Sequence, residues 1–250
     1  MTSHAVVTGA GSGIGAEIAR ELSQQGWRLT LLGRRIDPLE TLSKALPADS
    51  LPLSCDVTQP EDVSAAFARA REQFGAVHAL INCAGAAPSA PFHKISYDQW
   101  QATLGVNLNG VFLATQAALE DMRTAKSGRI INIASTASLK GYAYVSGYCA
   151  AKHAVLGMTR SLALELASIG ITVNAICPGY TDTDIIRDAV AGIAQKTGRT
   201  EDEALTHFTD SNPQGRLITP LEVASAVQWL LSDGASGVNG QAIAINGGEI

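Results

Sequence analysis

Residues 5–15 read Ala5-Val6-Val7-Thr8-Gly9-Ala10-Gly11-Ser12-Gly13-Ile14-Gly15, and this stretch decides the fold. A short apolar run stops at Thr8, a glycine-rich turn follows, and a helical pattern over residues 14–25 starts at once. Glycines at 9, 13 and 15 permit a tight turn and a close approach of backbone to a pyrophosphate. The helix N-terminus then offers unpaired N–H groups and the positive end of its dipole to an anion. A strand, a glycine turn and a helix at the head of an α/β chain predict a dinucleotide site. The spacing is GxxxGxG, which differs from the commoner GxGxxG. Ser12 and Ile14 belong to the same turn.

Outward from this unit the pattern repeats. Apolar runs at 5–8, 28–32, 51–54, 79–82, 129–133, 171–176 and 241–245 read as seven strands, and few carry a polar alternate. That is the pattern of strands covered on both faces. Helical patterns lie at 14–25, 38–46, 61–74, 97–123, 148–168 and 221–231. Strict alternation predicts an α/β fold: one doubly wound, parallel, seven-stranded Rossmann-type sheet. With no linker, repeat or low-complexity stretch, residues 1–250 form a single domain. One excursion, 178–220, is too long for a plain connection and holds two helical patterns, 184–196 and 201–210. It leaves the carboxyl end of a strand, where ligands bind in open α/β sheets, so a small substrate lobe over about 180–217 is expected.

Two further spots carry chemistry. About twenty residues past the glycines, where an acidic residue would bind a ribose 2′-OH, the chain has Leu32-Gly33-Arg34-Arg35. A guanidinium suits a 2′-phosphate, which favours NADP(H) over NAD(H); solvated charges at a strand end are the competing reading. Tyr148 and Lys152 stand one helical turn apart on one face. An ammonium beside a phenol favours the phenolate, so Lys152 is expected to lower the Tyr148 pKa towards working pH and make it a general acid or base. Ser135, past the 129–133 strand, could offer its hydroxyl to the same carbonyl.

Composition narrows the functions. The 250 residues carry 18 Lys+Arg and 23 Asp+Glu, a formal net charge of −5. An acidic chain is a poor phosphate-backbone binder, so nucleic acid is not the expected partner. At 46% hydrophobic and 16% charged residues, a packed core is expected rather than disorder. No apolar run is long enough to span a membrane, and the first residues do not look like a signal peptide. Cys55, Cys83, Cys149 and Cys177 form no CxxC pair, which suits free thiols in a cytoplasmic protein. The five histidines have no metal-ligand spacing, and no metal site is expected.

Taken together these motifs resemble the short-chain dehydrogenase/reductase family. The matching residues are Thr8-Gly9-x-x-x-Gly13-x-Gly15, Asp56, Asn82-x-Ala84-Gly85, Asn107, Ser135 thirteen residues before Tyr148, Lys152, and Pro178-Gly179 followed by Thr183. The resemblance spans essentially the whole chain. It implies a catalytic Ser135–Tyr148–Lys152 set completed by Asn107, with Asn107 holding a water that links Lys152 to solvent. It further implies Asp56 and Val57 near the adenine, Asn82, Ala84 and Gly85 near the ribose, and Pro178, Gly179 and Thr183 near the nicotinamide. Lys152 and Tyr148 would also meet the nicotinamide ribose. An ordinary helix cap competes for Thr183. Two departures stand out: Cys83 replaces an asparagine, and Ser12 occupies a position where strongly NADP-dependent members often carry Arg or Lys.

The reaction implied is reversible hydride transfer between a nicotinamide cofactor and a carbonyl/secondary-alcohol pair. The segment 170–179, the lobe and Asn212-Pro-x-Gly-Arg216 look most like 3-oxoacyl reductases and 3-hydroxyacyl-CoA dehydrogenases. Arg187, Lys196, Arg199 and Arg216 are candidates for a CoA or carrier phosphate, with plain solvation competing at each. Dehydrogenation of a small cyclic alcohol, polyol or steroid is the alternative. A regulatory protein that senses NADP(H) without turnover is the rival of another class. Tyr142 and Tyr144 are candidate pocket walls. By resemblance the two long helices would pack across a dimer axis in a homotetramer.

Overall fold

The runs of apolar residues become seven strands: β1 (His4–Thr8), β2 (Arg28–Gly33), β3 (Ser50–Ser54), β4 (Ala79–Asn82), β5 (Gly128–Ile133), β6 (Ile171–Pro178) and β7 (Ala242–Ile245). The computed structural model describes residues 3–198 and 200–250; the candidate Arg199 and the side chain of Lys196 lie outside the described part. All strands are parallel in the order β3-β2-β1-β4-β5-β6-β7. The order reverses between β1 and β4, so their carboxyl ends open the crevice where such sheets take ligands.

Successive side chains of a strand point to opposite faces, and both faces are covered. Ala5, Val7, Leu29, Leu31, Ala79, Ile81 and Ile131 face one layer, made by α1 (Gly13–Gln24), α2 (Ile36–Ala45) and α9 (Pro220–Leu231). Val6, Leu80, Ile130, Ile171 and Val173 face the other, made by α3 (Pro60–Phe74), α5 (Gly110–Ala125) and α6 (Ser146–Leu166). Capping boxes start α4 (Tyr97–Leu104) at Ser96/Gln99 and α9 at Thr219/Glu222.

Most boundaries shift by a residue or two from the sequence pattern, and two differences have a local cause. Residues 97–123 are not one helix: a π-helical turn, Gly105–Asn109, separates α4 from α5. Asn107 causes this locally, because its amide donates to the Thr103 carbonyl (2.9 Å), the acceptor an ordinary helical N–H would take. The last strand starts at Ala242 rather than 241, since the Gln241 N–H goes to Asn174 Oδ1 (3.0 Å).

The excursion folds into α7 (Asp184–Thr197) and α8 (Glu201–Thr209), with Val190, Ala204 and Phe208 as a small core of its own. Its two stems are pinned together: Asp182 N donates to Ile218 O (2.8 Å) and Ile218 N to Tyr180 O (2.9 Å). Among the described residues no helix is long and apolar enough to cross a membrane.

Candidate active site

The turn after β1 is closed by contacts that only glycine allows. Gly9 has φ +68°, and a Cβ there would lie 2.8 Å from the Ala84 backbone; a Cβ on Gly15 would run into the Gly9 carbonyl. Thr8 Oγ1 accepts from the N–H groups of Cys83 (3.0 Å) and Ala84 (3.1 Å), tying the β1 and β4 ends together. Helix α1 begins at Ser12 with no side-chain cap and no acidic residue in its first turn. Its positive end is therefore left for a ligand anion.

From this turn a cleft of about 1090 Å³ runs past Gly33, Arg34, Arg35, Asp56 and Val57. Arg34 and Arg35 are exposed and, among the described residues, neither forms an ion pair. Asp56 Oδ1 accepts from Thr58 N (3.0 Å) and Oγ1 (2.8 Å), which holds the loop after β3. A glycine cradle, a free helix N-terminus and two unpaired guanidiniums suit an anionic dinucleotide with a further phosphate.

A second compartment of about 350 Å³ adjoins the cleft through Gly9, Ser12, Ala84, Gly85, Ala86 and Tyr148. Ser135, Lys152, Gly13, Ile14, Gly15, Pro178, Gly179 and Thr183 all line it, so most residues singled out in the sequence meet here. Thr183 is the N-cap residue of α7, yet its hydroxyl donates to the Thr181 carbonyl (3.2 Å) and makes no cap bond. Its methyl lies against Gly13. Asn82 is placed elsewhere: its amide donates to Thr115 Oγ1 (3.1 Å) and Asn132 Oδ1 (2.9 Å) inside the sheet, and it lines neither cavity. Asn107 is fully buried; it donates to Ala86 O (2.8 Å) and accepts from Ala86 N (3.2 Å), fixing the segment after β4. Asn107 and Lys152 both lie beside Gly85. Cys83 contributes a thiol that burial pushes up to about 12, so it packs as a neutral group.

Ser135 follows β5, and its Oγ accepts from Ala137 N (3.1 Å), which orients the hydroxyl. Tyr148 sits near the start of α6, and Lys152, 4% exposed, donates to the Ile133 carbonyl (2.8 Å). The expected lowering of Tyr148 by Lys152 is not what the geometry yields. Burial raises the Tyr148 phenol to about 12, against the hydrogen bond from Ser135, which pulls the other way. Burial outweighs the ammonium: Lys152 Nζ stands over the ring face, 5.6 Å from its centroid, and also donates to the Ile133 carbonyl. Burial in turn lowers Lys152 to about 8. Near pH 7 Tyr148 is therefore a protonated phenol next to an ammonium.

Of the compartment wall, Thr136 carried no signal in the sequence, while Tyr180, Thr181, Ile185 and Ile186 fall within the expected substrate lobe without having been singled out as wall residues. Tyr142 lines it as well, whereas Tyr144 is exposed. The candidate phosphate contacts are already engaged: Arg187 pairs with Asp182 (3.1 Å), and Arg216 makes two bonds to Glu222 (2.7 and 2.8 Å).

A family profile described as enoyl-(acyl carrier protein) reductase matches residues 9–249. The 3-oxoacyl-(acyl-carrier-protein) reductase FabG of Vibrio cholerae is 34% identical, over 98% of this chain and 96% of that one. The cis-4-hydroxycyclohexanecarboxylate dehydrogenase of Sinomonas cyclohexanicum is 39% identical, over 98% and 95%. The crystal structure of an actinorhodin polyketide ketoreductase variant with NADPH superposes with a TM-score of 0.94 at 36% identity, covering 99% of this chain and 97% of that one. With a reductase profile over nearly its full length and relatives matched end to end, the chain belongs to the short-chain dehydrogenase/reductase family and is an NAD(P)-dependent oxidoreductase of keto and hydroxyl groups.

Proposed function

We propose that the protein is an NADP(H)-preferring ketoreductase that works on 3-oxoacyl thioesters. The single observation that carries this reading is the meeting of Ser135, a protonated Tyr148 and Lys152 in one compartment that opens onto the Arg34-lined cleft. The cofactor would be held by the turn of Gly9, Ser12, Gly13, Ile14 and Gly15, by Arg34 at the 2′-phosphate, and by Asp56 and Val57 at the adenine. Ala84, Gly85 and the Asn82 backbone would meet the ribose, while Pro178, Gly179 and Thr183 would meet the nicotinamide. When bound, the nicotinamide supplies the hydride in reduction and accepts it in oxidation.

The chain's own contribution is proton supply and electrostatics. Ser135 donates a hydrogen bond to the carbonyl oxygen, which strengthens as negative charge develops there. Tyr148 gives its phenolic proton to that oxygen. The Lys152 ammonium stabilises the phenolate left behind, and Asn107 keeps the neighbouring backbone in register. A phenol protonated at neutral pH is in the form that reduction requires of its proton donor. Tetramer assembly through the exposed faces of α5 and α6, and a cytoplasmic location, complete the proposal; Phe112 and Leu164 are the exposed apolar side chains on these helices.

A second reading, reduction of small cyclic ketones, is favoured by likeness to the cyclohexanecarboxylate dehydrogenase and to levodione reductase (TM-score 0.92, 32% identity). A substrate panel of acetoacetyl thioesters against cyclic ketones, run with NADPH and NADH, decides between the two. A higher kcat/KM on thioesters with NADPH is expected; preference for the rings would transfer the proposal to the second reading. Tight cofactor binding without any turnover would overturn both.

A further inference from the structure

Behind the compartment wall lies a carboxylate that the proposed chemistry does not use. The side chain of Glu249 is 2% exposed, and its Oε1 is shared by two donors from the catalytic loop. Lys140 Nζ lies 2.9 Å away, and the Tyr142 hydroxyl donates at 2.5 Å. The same hydroxyl accepts from Thr136 Oγ1 (2.7 Å), so both of its hydrogen-bonding capacities are spent. The Lys140 ammonium also stands 5.0 Å from the Tyr142 ring centroid. The ring is thus fixed at its oxygen and at its face, and it lines the compartment beside Ser135 and Tyr148.

The fixation reaches the lobe. Tyr142 meets Tyr180 edge-on (5.9 Å between centroids), and Tyr180 meets Phe208 of α8 in the same way (5.0 Å). The backbone that carries Glu249 is itself pinned. Gly247 has φ +65° and presses on the Asn212 amide, leaving no room for a side chain. Removing the buried Glu249 acceptor would leave the Tyr142 hydroxyl without the partner it donates to, so the hydrogen bond holds the ring in place.

We propose that Glu249 is a specificity-determining positioning residue. Shared between Lys140 and Tyr142, its carboxylate holds the Tyr142 ring as a rigid wall of the reactive compartment, which limits the size of the ketone that reaches Ser135 and Tyr148. This rests on the ketoreductase reading above.

The test compares wild type with Glu249→Ala, Glu249→Gln, Tyr142→Phe and the double variant Glu249→Ala/Tyr142→Phe. Reduction of ethyl acetoacetate and of the bicyclic ketone 2-tetralone gives kcat and KM separately, and a fluorescence titration gives NADPH affinity. Glu249→Ala should shift the kcat/KM ratio about tenfold towards 2-tetralone, mainly through KM, a size within the usual range for a reshaped apolar pocket. NADPH affinity should change by less than about twofold. Glu249→Gln, which keeps an acceptor for the Tyr142 hydroxyl, should stay near wild type. Tyr142→Phe should shift the ratio the same way, and the double variant no further than the larger single effect. An unchanged ratio in folded Glu249→Ala, or a parallel loss of NADPH affinity, overturns the proposal; should that variant not fold, an unchanged ratio in Tyr142→Phe does so. Calorimetric binding of 2-tetralone to the NADP⁺ complex makes the same comparison without turnover. Wild-type inactivity on every ketone would count against the ketoreductase reading alone.

Discussion

Tyr148 is subject to two opposing influences, and burial wins: the phenol rises to about 12 despite the Ser135 hydrogen bond. Lys152, lowered to about 8 by its own burial, is the group that changes charge near working pH. As pH rises through about 8 the ammonium is lost while Tyr148 stays protonated, so kcat/KM for reduction should fall there, and Lys152→Met should abolish that limb. A limb that survives in Lys152→Met would reassign it. Tyr148→Phe should lower kcat by roughly 10²–10⁴-fold with cofactor affinity nearly intact, the usual share of acid–base catalysis. A variant retaining a third of the wild-type rate would remove Tyr148 from the role of acid. At the other end of the cleft, Arg34→Ala should weaken NADPH by about 10–150-fold and NADH little, since only NADPH carries the 2′-phosphate. Equal losses in a binding titration would shift that contact to Arg35.

Among the elements, the interrupted helix and the lobe do the positioning. The π-helical turn between α4 and α5 brings Asn107 to the backbone of Ala86, a placement that a straight helix would not provide. The lobe differs in kind: α7 and α8 share a small core of their own and are anchored at stems that hydrogen-bond to each other. Few buried contacts tie them to the sheet, so local opening should cost less here than in α6 or α9. Backbone hydrogen exchange over 184–209 should therefore be faster than in α6 and α9, and should slow markedly when NADP(H) and a substrate analogue bind together. Slow exchange unchanged by ligands would mean a rigid lobe packed on a neighbouring subunit.

For the molecule as a whole, one acid-sensitive group lies at the amino ends of the strands, away from the site. His4 on the central strand β1 is fully buried; its Nδ1 donates to Gly75 O (3.1 Å), and in the neutral ring its Nε2 accepts from Thr30 Oγ1 (2.9 Å). Burial lowers its pKa to about 4 from 6.5. Between these values the unfolded chain binds the proton and the folded chain does not. Stability is therefore complete above about 6.5 and declines as pH falls towards 4, by on the order of 3 kcal/mol from this group. Urea midpoints measured across that window should show the decline, and His4→Gln should flatten it. An equally steep decline in His4→Gln would assign it to the carboxylates instead.

What the sequence by itself determined was local. The glycine pattern of the turn from Thr8 to Gly15 is legible within eight residues, and the Tyr148/Lys152 pairing follows from helical pitch. The alternation of apolar runs with amphipathic stretches likewise dictated a parallel sheet covered on both faces. The tertiary structure decided whatever depends on burial or on partners far along the chain. Lys152 reads from sequence as the group that tunes Tyr148, yet burial is the largest influence on both their acidities. Nor was it legible that the Asn82 side chain turns into the sheet, where its amide donates to Thr115 and Asn132. Glu249 carried no signal at all, because its partners Tyr142 and Lys140 lie more than a hundred residues away in the chain, and only the packing of the fold brings a carboxylate to that hydroxyl.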